Sequence, residues 1–442
     1  MIVPRSRLLF WVAIVVMPFS LLGAVLPTGT LLSVLVIASL VFLVVLDAAL
    51  AYNGLQGIHV KLPDVVRLTK DVENAIDLQI ENDRGDSLEL RLGLAFPREI
   101  ASPHEDLLAR VRAGTRFSRI SWPCTPLQRG IYNLDACYLE RASSFGFWSV
   151  RTAVPAHAEI RVYPNLLSER KNLAAVFLRR GNFGIHAQRQ IGQGRDFEML
   201  RDYIPGDGME EIHWKATAKR GRPVTKLFQI ERTQEVYVIV DASRLSARTA
   251  MPTNSVVLER FITAALVLGL VAEQQGDLFG ISSFGDRVQN FIRASGGKEH
   301  YGACRDALFT LQPQMVTPDF DGLCTFIRLR LRRRALLVIL TSLDDPILAE
   351  NFARNVELIC HQHLVLVGML RPPTARPIFA DGRVTSADDV YQALGGHILW
   401  HDLRELERSL QRRGVQFSQL DDERMAVQLV SQYIDIKRRQ LL

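Results

Sequence analysis

The sequence has no G-x-x-x-x-G-K-[ST] loop, no G-x-S-x-G elbow and no H-E-x-x-H pair. The phosphate cradle of P-loop NTPases, the strained nucleophile of α/β-hydrolases and the zinc centre of metalloproteases are therefore missing. Cysteine is scarce: Cys124, Cys137, Cys304, Cys324 and Cys360 are an odd number, far apart, with no C-x-x-C and no Cys/His cluster at zinc spacing. A disulfide framework is excluded, a reducing compartment with buried free thiols is expected, and Cys124 with Cys137 is the pair that could bridge. Charge is absent from Leu8–Leu26 and again from Leu31–Leu46.

Those two uncharged runs, the second extended through Ala48–Tyr52, approach the roughly 20 apolar residues that cross a bilayer. Pro27-Thr28-Gly29-Thr30 separates them, so residues 1–53 are expected to form a transmembrane helical hairpin with both ends on one side. Arg5 and Arg7 flank the first run, where cytoplasmic positive charge is expected, which puts the bulk of the chain in the cytoplasm. The competing reading is a cleaved signal peptide followed by one anchor, although Ser20–Val25 offers no clear A-x-A site.

The chain has 442 residues, 48% of them apolar, and a formal net charge of +6. That length suits two or three domains, and the positive balance suits an anionic membrane surface. From His59 to about residue 165 the pattern turns to short β-branched or alternating runs: Val65–Thr69, Ala75–Ile80, Leu88–Phe96, Ile131–Leu139 and Ala158–Val162. It reads as an immunoglobulin-like β-sandwich. Residues 166–234 form a connector, and from residue 235 to the end apolar strands alternate with helices. Val236–Asp241, Leu278–Phe284, Val288–Ile292, Ala335–Thr341 and His363–Leu370 are the expected strands. Ser255–Gln275, Tyr301–Leu311, Gly322–Arg332, Leu348–Cys360 and Asp421–Arg439 are the expected helices. Continuous apolar strands joined by helices imply a mostly parallel sheet covered on both faces, an α/β fold.

The densest stretch is Gly192–Arg232, which sets Arg195, Asp196, Arg201, Asp202, Asp207 and Lys215 among Phe197, Tyr203, His213 and Trp214 around a Pro205–Gly206 turn. Gly194–Phe197, Leu200–Asp207 and Ile212–Lys219 resemble the G-x-D-F, L-R-x-Y-x-P-G-D and I-x-W-K-x-x-A-[RK] signature of the bacterial family called domain of unknown function 58. The preceding Arg129-Gly130-Ile131-Tyr132 and Ser144-Phe145-Gly146-Phe147 resemble that family's R-G-x-Y and D-P-F-G-L segments, with Ser143–Ser144 in place of Asp-Pro. Glu210 stands where the family usually has Arg. The signature reads either as an interaction surface or as a clasp that locks the fold, with Arg195 and Arg201 gripping carboxylates and Tyr203 and Trp214 burying their rings against the sheet.

The resemblance also implies a von Willebrand factor A-like, doubly wound domain at residues 235–442. Such domains often hold magnesium or manganese on a D-x-S-x-S motif completed by a Thr and an Asp from later loops. Here Asp241 and Ser243 match, Thr317 lies in the order of the middle ligand, Leu245 replaces the second Ser, and Ser342 stands where the last carboxylate would be. Asp344 or Asp345 could swing in; otherwise Asp241 is held by nearby backbone. A hydrolytic reading would take His213 or His186 as base with Asp207 and Ser243 as nucleophile. The run Arg328–Arg334 reads as a solvated helix end or as an anionic-lipid or nucleic-acid contact, the absence of interleaved aromatics speaking against the latter so that no nucleic acid is expected, and Asp402–Arg413 as an exposed helix face. Membership in the family implies a non-enzymatic adaptor at the inner face of a bacterial membrane, partnered with a MoxR-type AAA+ ATPase and, in some cases, transglutaminase-like membrane proteins.

Overall fold

The computed structural model describes residues 1–26, 29–167, 169, 191–192, 196–204, 208–209, 212–229, 234–251, 255–378, 380 and 386–439. They fall into two compact units, Met1–Asn165 and Leu166–Leu442.

The first unit opens with a short strand, β1 (Ile2–Pro4), and two apolar helices, α1 (Ser6–Val25) and α2 (Thr30–Ala51), each long and apolar enough to cross a membrane. α1 contains one π-helical turn at Val12–Val16. A Cβ placed on Gly23 would lie 3.3 Å from Ser33 Cβ, the close small-residue approach by which helices pack in lipid. The strands that follow are β2 (Ile58–Lys61), β3 (Val65–Thr69), β4 (Asn74–Asn82), β5 (Leu88–Leu94), β6 (Ile100–Ala101), β7 (Leu107–Val111), β8 (Phe117–Pro126), β9 (Gly130–Ala142) and β10 (Trp148–Tyr163). One sheet runs β1-β10-β9-β5-β7 with β3 paired to β10, the other β2-β4-β8-β6. Inward positions such as Leu78, Ile80, Leu90, Leu92, Leu139 and Ile160 share one core, so two sheets close on each other as a sandwich. The strands at Leu107–Val111 and Phe117–Pro126 were not expected. Their runs carry Arg110, Arg119 and Pro123, and Arg119 pairs with Asp77 across the sheet; cross-strand pairing there outweighs weak local propensity.

In the second unit β11 (Ile191–Gly192), β12 (Asp196–Asp202) and β13 (Val224–Gln229) form a small antiparallel sheet, with the short helix α3 (Trp214–Arg220) between the last two. The main body contains β14 (Glu235–Asp241), the hairpin β15 (Thr249–Ala250) and β16 (Ser255–Val256), α4 (Val257–Gln274), β17 (Leu278–Phe284), β18 (Val288–Ser295), α5 (Lys298–Phe309), α6 (Phe320–Arg330), β19 (Leu336–Leu340), α7 (Pro346–Cys360), β20 (Leu364–Leu370), α8 (Ala387–Arg412), β21 (Val415–Leu420) and α9 (Met425–Arg438). The sheet order is β18-β17-β14-β19-β20-β21. All neighbours are parallel except β18. This is an α/β, doubly wound sheet whose strand order reverses at β14 and β19.

Alternate residues of the central strand serve opposite faces. Val236, Val238 and Val240 pack with α4 and α9, while Tyr237 and Ile239 pack with α6, α7 and the end of α8. The helix expected over Asp402–Arg413 is the second half of a 26-residue helix with Leu403 and Leu410 buried, and β21 behind it was missed because Gln416 and Gln419 interrupt its apolar run. The terminal helix starts at Met425, four residues later than expected, because Asp422–Arg424 forms a 3₁₀ turn. Cys124 and Cys137 are free buried thiols, and burial pushes both up to about 11.

Candidate functional site

The crevice of interest lies where β14 and β19 end, at the reversal of strand order where open α/β sheets bind ligands. β14 delivers Asp241, which is fully buried. One carboxylate oxygen, Oδ1, accepts from the Ser243 amide at 2.8 Å. The other, Oδ2, accepts from the Thr341 hydroxyl at 2.6 Å. Burial raises the pKa of Asp241, and hydrogen bonds from Thr341 and Ser243 oppose that rise. Ser243 caps a 3₁₀ turn over Arg244–Ala247 by accepting from the Leu245 amide at 3.3 Å.

Leu245, in place of the second Ser, turns into the core with Phe284 and Phe320. Thr317 is exposed on a neighbouring loop, which is stitched to the Asp241 loop through Gln314 N to Ala242 O (2.7 Å) and Arg244 N to Val316 O (3.0 Å). Asp344 is ion-paired to Arg248, and Asp345 caps α7 by accepting from Ile347 and Leu348 amides. Among the described residues no group of three or more His, Cys, Asp or Glu gathers at metal-binding distances. A hard divalent ion needs an ionised carboxylate with a free oxygen and several further oxygen donors. These residues fit that demand poorly, because both Asp241 oxygens already hold the protein together.

The signature folds as strand, helix and strand. Asp202 in β12 pairs with Arg222 at 3.1 Å. His213 is the N-cap of α3, its Nδ1 accepting from the Ala216 amide at 3.0 Å, and Ser243 is buried in its own turn. Asp207 and His186, the other members of the expected hydrolytic set, lie outside the described residues. Trp214 is 67% exposed and Tyr203 38%, which corrects the expectation that their rings seat against the sheet. α3 is two turns long and buries none of its residues, so it has no inner face to receive them. Lys215 is exposed, and Leu200 and Arg201 are half-buried. Arg195, Pro205, Gly206, Asp207, Glu210 and His186 lie outside the described residues, as do the side chains of Asp196 and Phe197.

A feature absent from the sequence reading is the first half of α8. At 1.5 Å per residue the helix is about 39 Å long, roughly twice the length of β21. Since α8 feeds a strand parallel to β20, its N-terminal half overhangs the strands' C-terminal edge. Gly396, where an added Cβ would meet Thr374 O at 2.2 Å, packs against the segment that follows β20. Around it Val390, Tyr391, Leu394 and Ile398 form a stripe with exposures between 44% and 73%. Their spacing of four was visible in the sequence. Next to the stripe, an open groove of about 1030 Å³ between α7 and α8 is lined by Ala349, Ala353, Leu399 and Leu406, with Asp344 also on its wall.

Residues 199–392 match the family model described as "Protein of unknown function DUF58". The match is to this region, less than half of the chain. That region runs from β12 through β20 into the first turns of α8. Over 186 residues the chain is 25% identical to the uncharacterized protein Rv1480 of Mycobacterium tuberculosis, covering 41% of this chain and 57% of the relative. An uncharacterized protein of Mycobacterium bovis matches to the same extent. The match thus spans little more than half the length of these relatives. Among solved structures, the chain is similar to an aerotolerance-related membrane protein from Bacteroides fragilis at 15% identity and TM-score 0.30, covering 46% of this chain and 98% of that one. It is similar to the conserved hypothetical protein BatB from Bacteroides thetaiotaomicron at 15% identity and TM-score 0.31, covering 47% and 99%. The SpRpn10 VWA domain is similar at 12% identity and TM-score 0.29, covering 45% and 95%.

Proposed function

We propose that the chain is a membrane-anchored, non-enzymatic adaptor whose DUF58 region presents the C-terminal edge of its main sheet to a protein partner. The observation that carries this reading is the overhanging, apolar first half of α8. A soluble helix buries its apolar stripe, and Val390, Tyr391, Leu394 and Ile398 leave theirs in solvent at the edge where this fold meets ligands. Exposed Tyr203, Ile204, Met209 and Trp214 of the signature add a second apolar surface. Aromatic and Met side chains of this kind are enriched at interfaces. Both Asp241 oxygens are taken up by Ser243 and Thr341, and the surface is read as metal-independent.

The partner implied by family resemblance is a MoxR-type AAA+ ATPase. A cytoplasmic position is supported by β1: its pairing with β10 puts the segment before α1 on the sandwich side of the hairpin, together with Arg5 and Arg7, where positive charge favours the cytoplasm. The test is co-purification of the full chain with the MoxR-type ATPase from the same genome, with and without Leu394→Asp. A complex lost in the variant supports the adaptor. Turnover of an ester, peptide or phosphate substrate by the purified chain, lost on replacing Ser243, would contradict it.

A further inference from the structure

Asp47 is the charged residue of α2, and it is fully buried. Its Oδ2 accepts from the Ser143 hydroxyl at 2.6 Å and the Phe147 amide at 3.2 Å, and its Oδ1 accepts from the Phe145 amide at 3.1 Å. All three donors belong to one loop of the sandwich, between β9 and β10. The start of α1 reaches the same loop, because the Arg5 amide donates to Phe147 O at 2.9 Å. Arg7 lies against Gly146, where φ is +78° and a Cβ would approach the Arg7 guanidinium to 3.1 Å. Both apolar helices therefore converge on residues 143–148.

Depth follows from helix geometry. α2 has 22 residues, about 33 Å, and a hydrocarbon core of roughly 30 Å takes up nearly all of it. Asp47 is four residues from the helix end, about 6 Å inside, and Val44 about 10 Å inside. The Trp148 indole, at the start of β10, donates to Val44 O at 3.0 Å. A side chain of the sandwich thus meets the backbone of α2 inside its apolar span. Phe145 is half exposed.

We propose that the loop Ser143–Trp148 is itself a membrane-contacting element that seats Phe145 and Trp148 in the interfacial layer of the phospholipid bilayer, with Asp47 as the pin that holds it there. Aromatic rings favour that layer, and an ionisable group at this depth is tolerated when its oxygens are satisfied by the protein. The sandwich is accordingly docked on the lipid surface rather than tethered above it. This inference rests on the reading that the hairpin crosses the bilayer.

The experiment uses the full chain in phospholipid nanodiscs, in a Cys360→Ser background, with one nitroxide at a time on Phe145→Cys, Val41→Cys in the middle of α2, or Ile131→Cys at the far end of β9. The readout is relaxation by oxygen against relaxation by a water-soluble nickel chelate. The expected result is a lipid-type ratio at Val41, an interfacial ratio at Phe145 several-fold above that at Ile131, and loss of the Phe145 value on adding Asp47→Leu but not Asp47→Asn. A lipid-type ratio at Val41 with equal, aqueous ratios at Phe145 and Ile131 would overturn the inference and leave the spanning hairpin standing. An aqueous ratio at Val41 would overturn both. If Asp47→Leu does not fold, the comparison of the three positions decides alone.

Discussion

The Thr341 hydroxyl donates a 2.6 Å hydrogen bond to Asp241 across the C-terminal ends of two neighbouring parallel strands, with both residues fully buried. The residue expected from the motif to begin a metal site here fastens the sheet at the point where its strand order reverses. Thr341→Val removes the donor and leaves a buried carboxylate oxygen unpaired, at a cost of about 1–3 kcal/mol. Faster hydrogen exchange along β14 and β19 is the expected sign, with β20 and β21 affected less.

The pH dependence of that fastening has a definite sign. Burial raises the folded-state pKa of Asp241 above its ordinary value near 3.8, so the folded state binds the proton more tightly than the unfolded one. The contribution to stability is complete below the unfolded value and is lost as pH rises through the folded value. Asp241→Asn should therefore gain on the parent protein as pH rises from the acid side towards neutrality. Denaturant midpoints of the two proteins at several pH values check this, and a variant that loses ground to the parent as pH rises would reverse the assignment.

Restoring the motif should fail. Leu245→Ser recreates the hydroxyl of D-x-S-x-S but removes a side chain packed against Phe284 and Phe320, and large-to-small changes of this kind cost about 2–5 kcal/mol. Calorimetric titration with magnesium or manganese should give no saturable heat for the parent or for Leu245→Ser. Binding in the parent that Asp241→Ala abolishes would show that the carboxylate serves an ion after all.

The sheet strands were legible because β14, β19 and β20 are unbroken apolar runs, and a run buried on both faces has only that signature. The hairpin was legible for the same reason. Leu245 and Ser342 were legible as departures from a motif, yet their consequence was not. That Thr341 turns its hydroxyl onto Asp241, and that Arg248 takes up Asp344, depends on loops 100 and 96 residues apart meeting at one edge. Trp214 and Tyr203 misled because ring burial depends on what packs over them, which a motif does not carry. The α8 stripe was present as a four-residue spacing, but exposure is a tertiary fact that the spacing alone does not carry.

The last helix is held by a second buried carboxylate. Asp277 accepts from Lys437 Nζ at 2.8 Å, from the Gln234 amide at 3.2 Å and from the Tyr433 hydroxyl. Tyr433→Phe should cost about 1–3 kcal/mol and loosen α9 before the sheet. Limited proteolysis should then cut first within Met425–Arg438, whereas a cut pattern equal to the parent's would mean that packing alone holds the helix.

The thiols should be inert. Burial pushes Cys304 and Cys324 up to about 12 and Cys360 up to about 11, and Cys360 is the one with partial exposure. Maleimide at pH 8 should modify Cys360 first and the other four only after unfolding. Identical gel mobility with and without reductant is expected, and a Cys124–Cys137 peptide in a non-reduced digest would refute it.

The adaptor reading is tested most directly by binding between the full chain in nanodiscs and the MoxR-type ATPase of the same genome, measured with and without EDTA. Saturable binding that EDTA leaves unchanged, that Leu394→Asp weakens more than tenfold and that neutralising Arg328, Arg330 and Arg332 leaves intact is the expected result. No binding, or binding that survives Leu394→Asp but vanishes with EDTA, would contradict a metal-independent contact through the α8 edge.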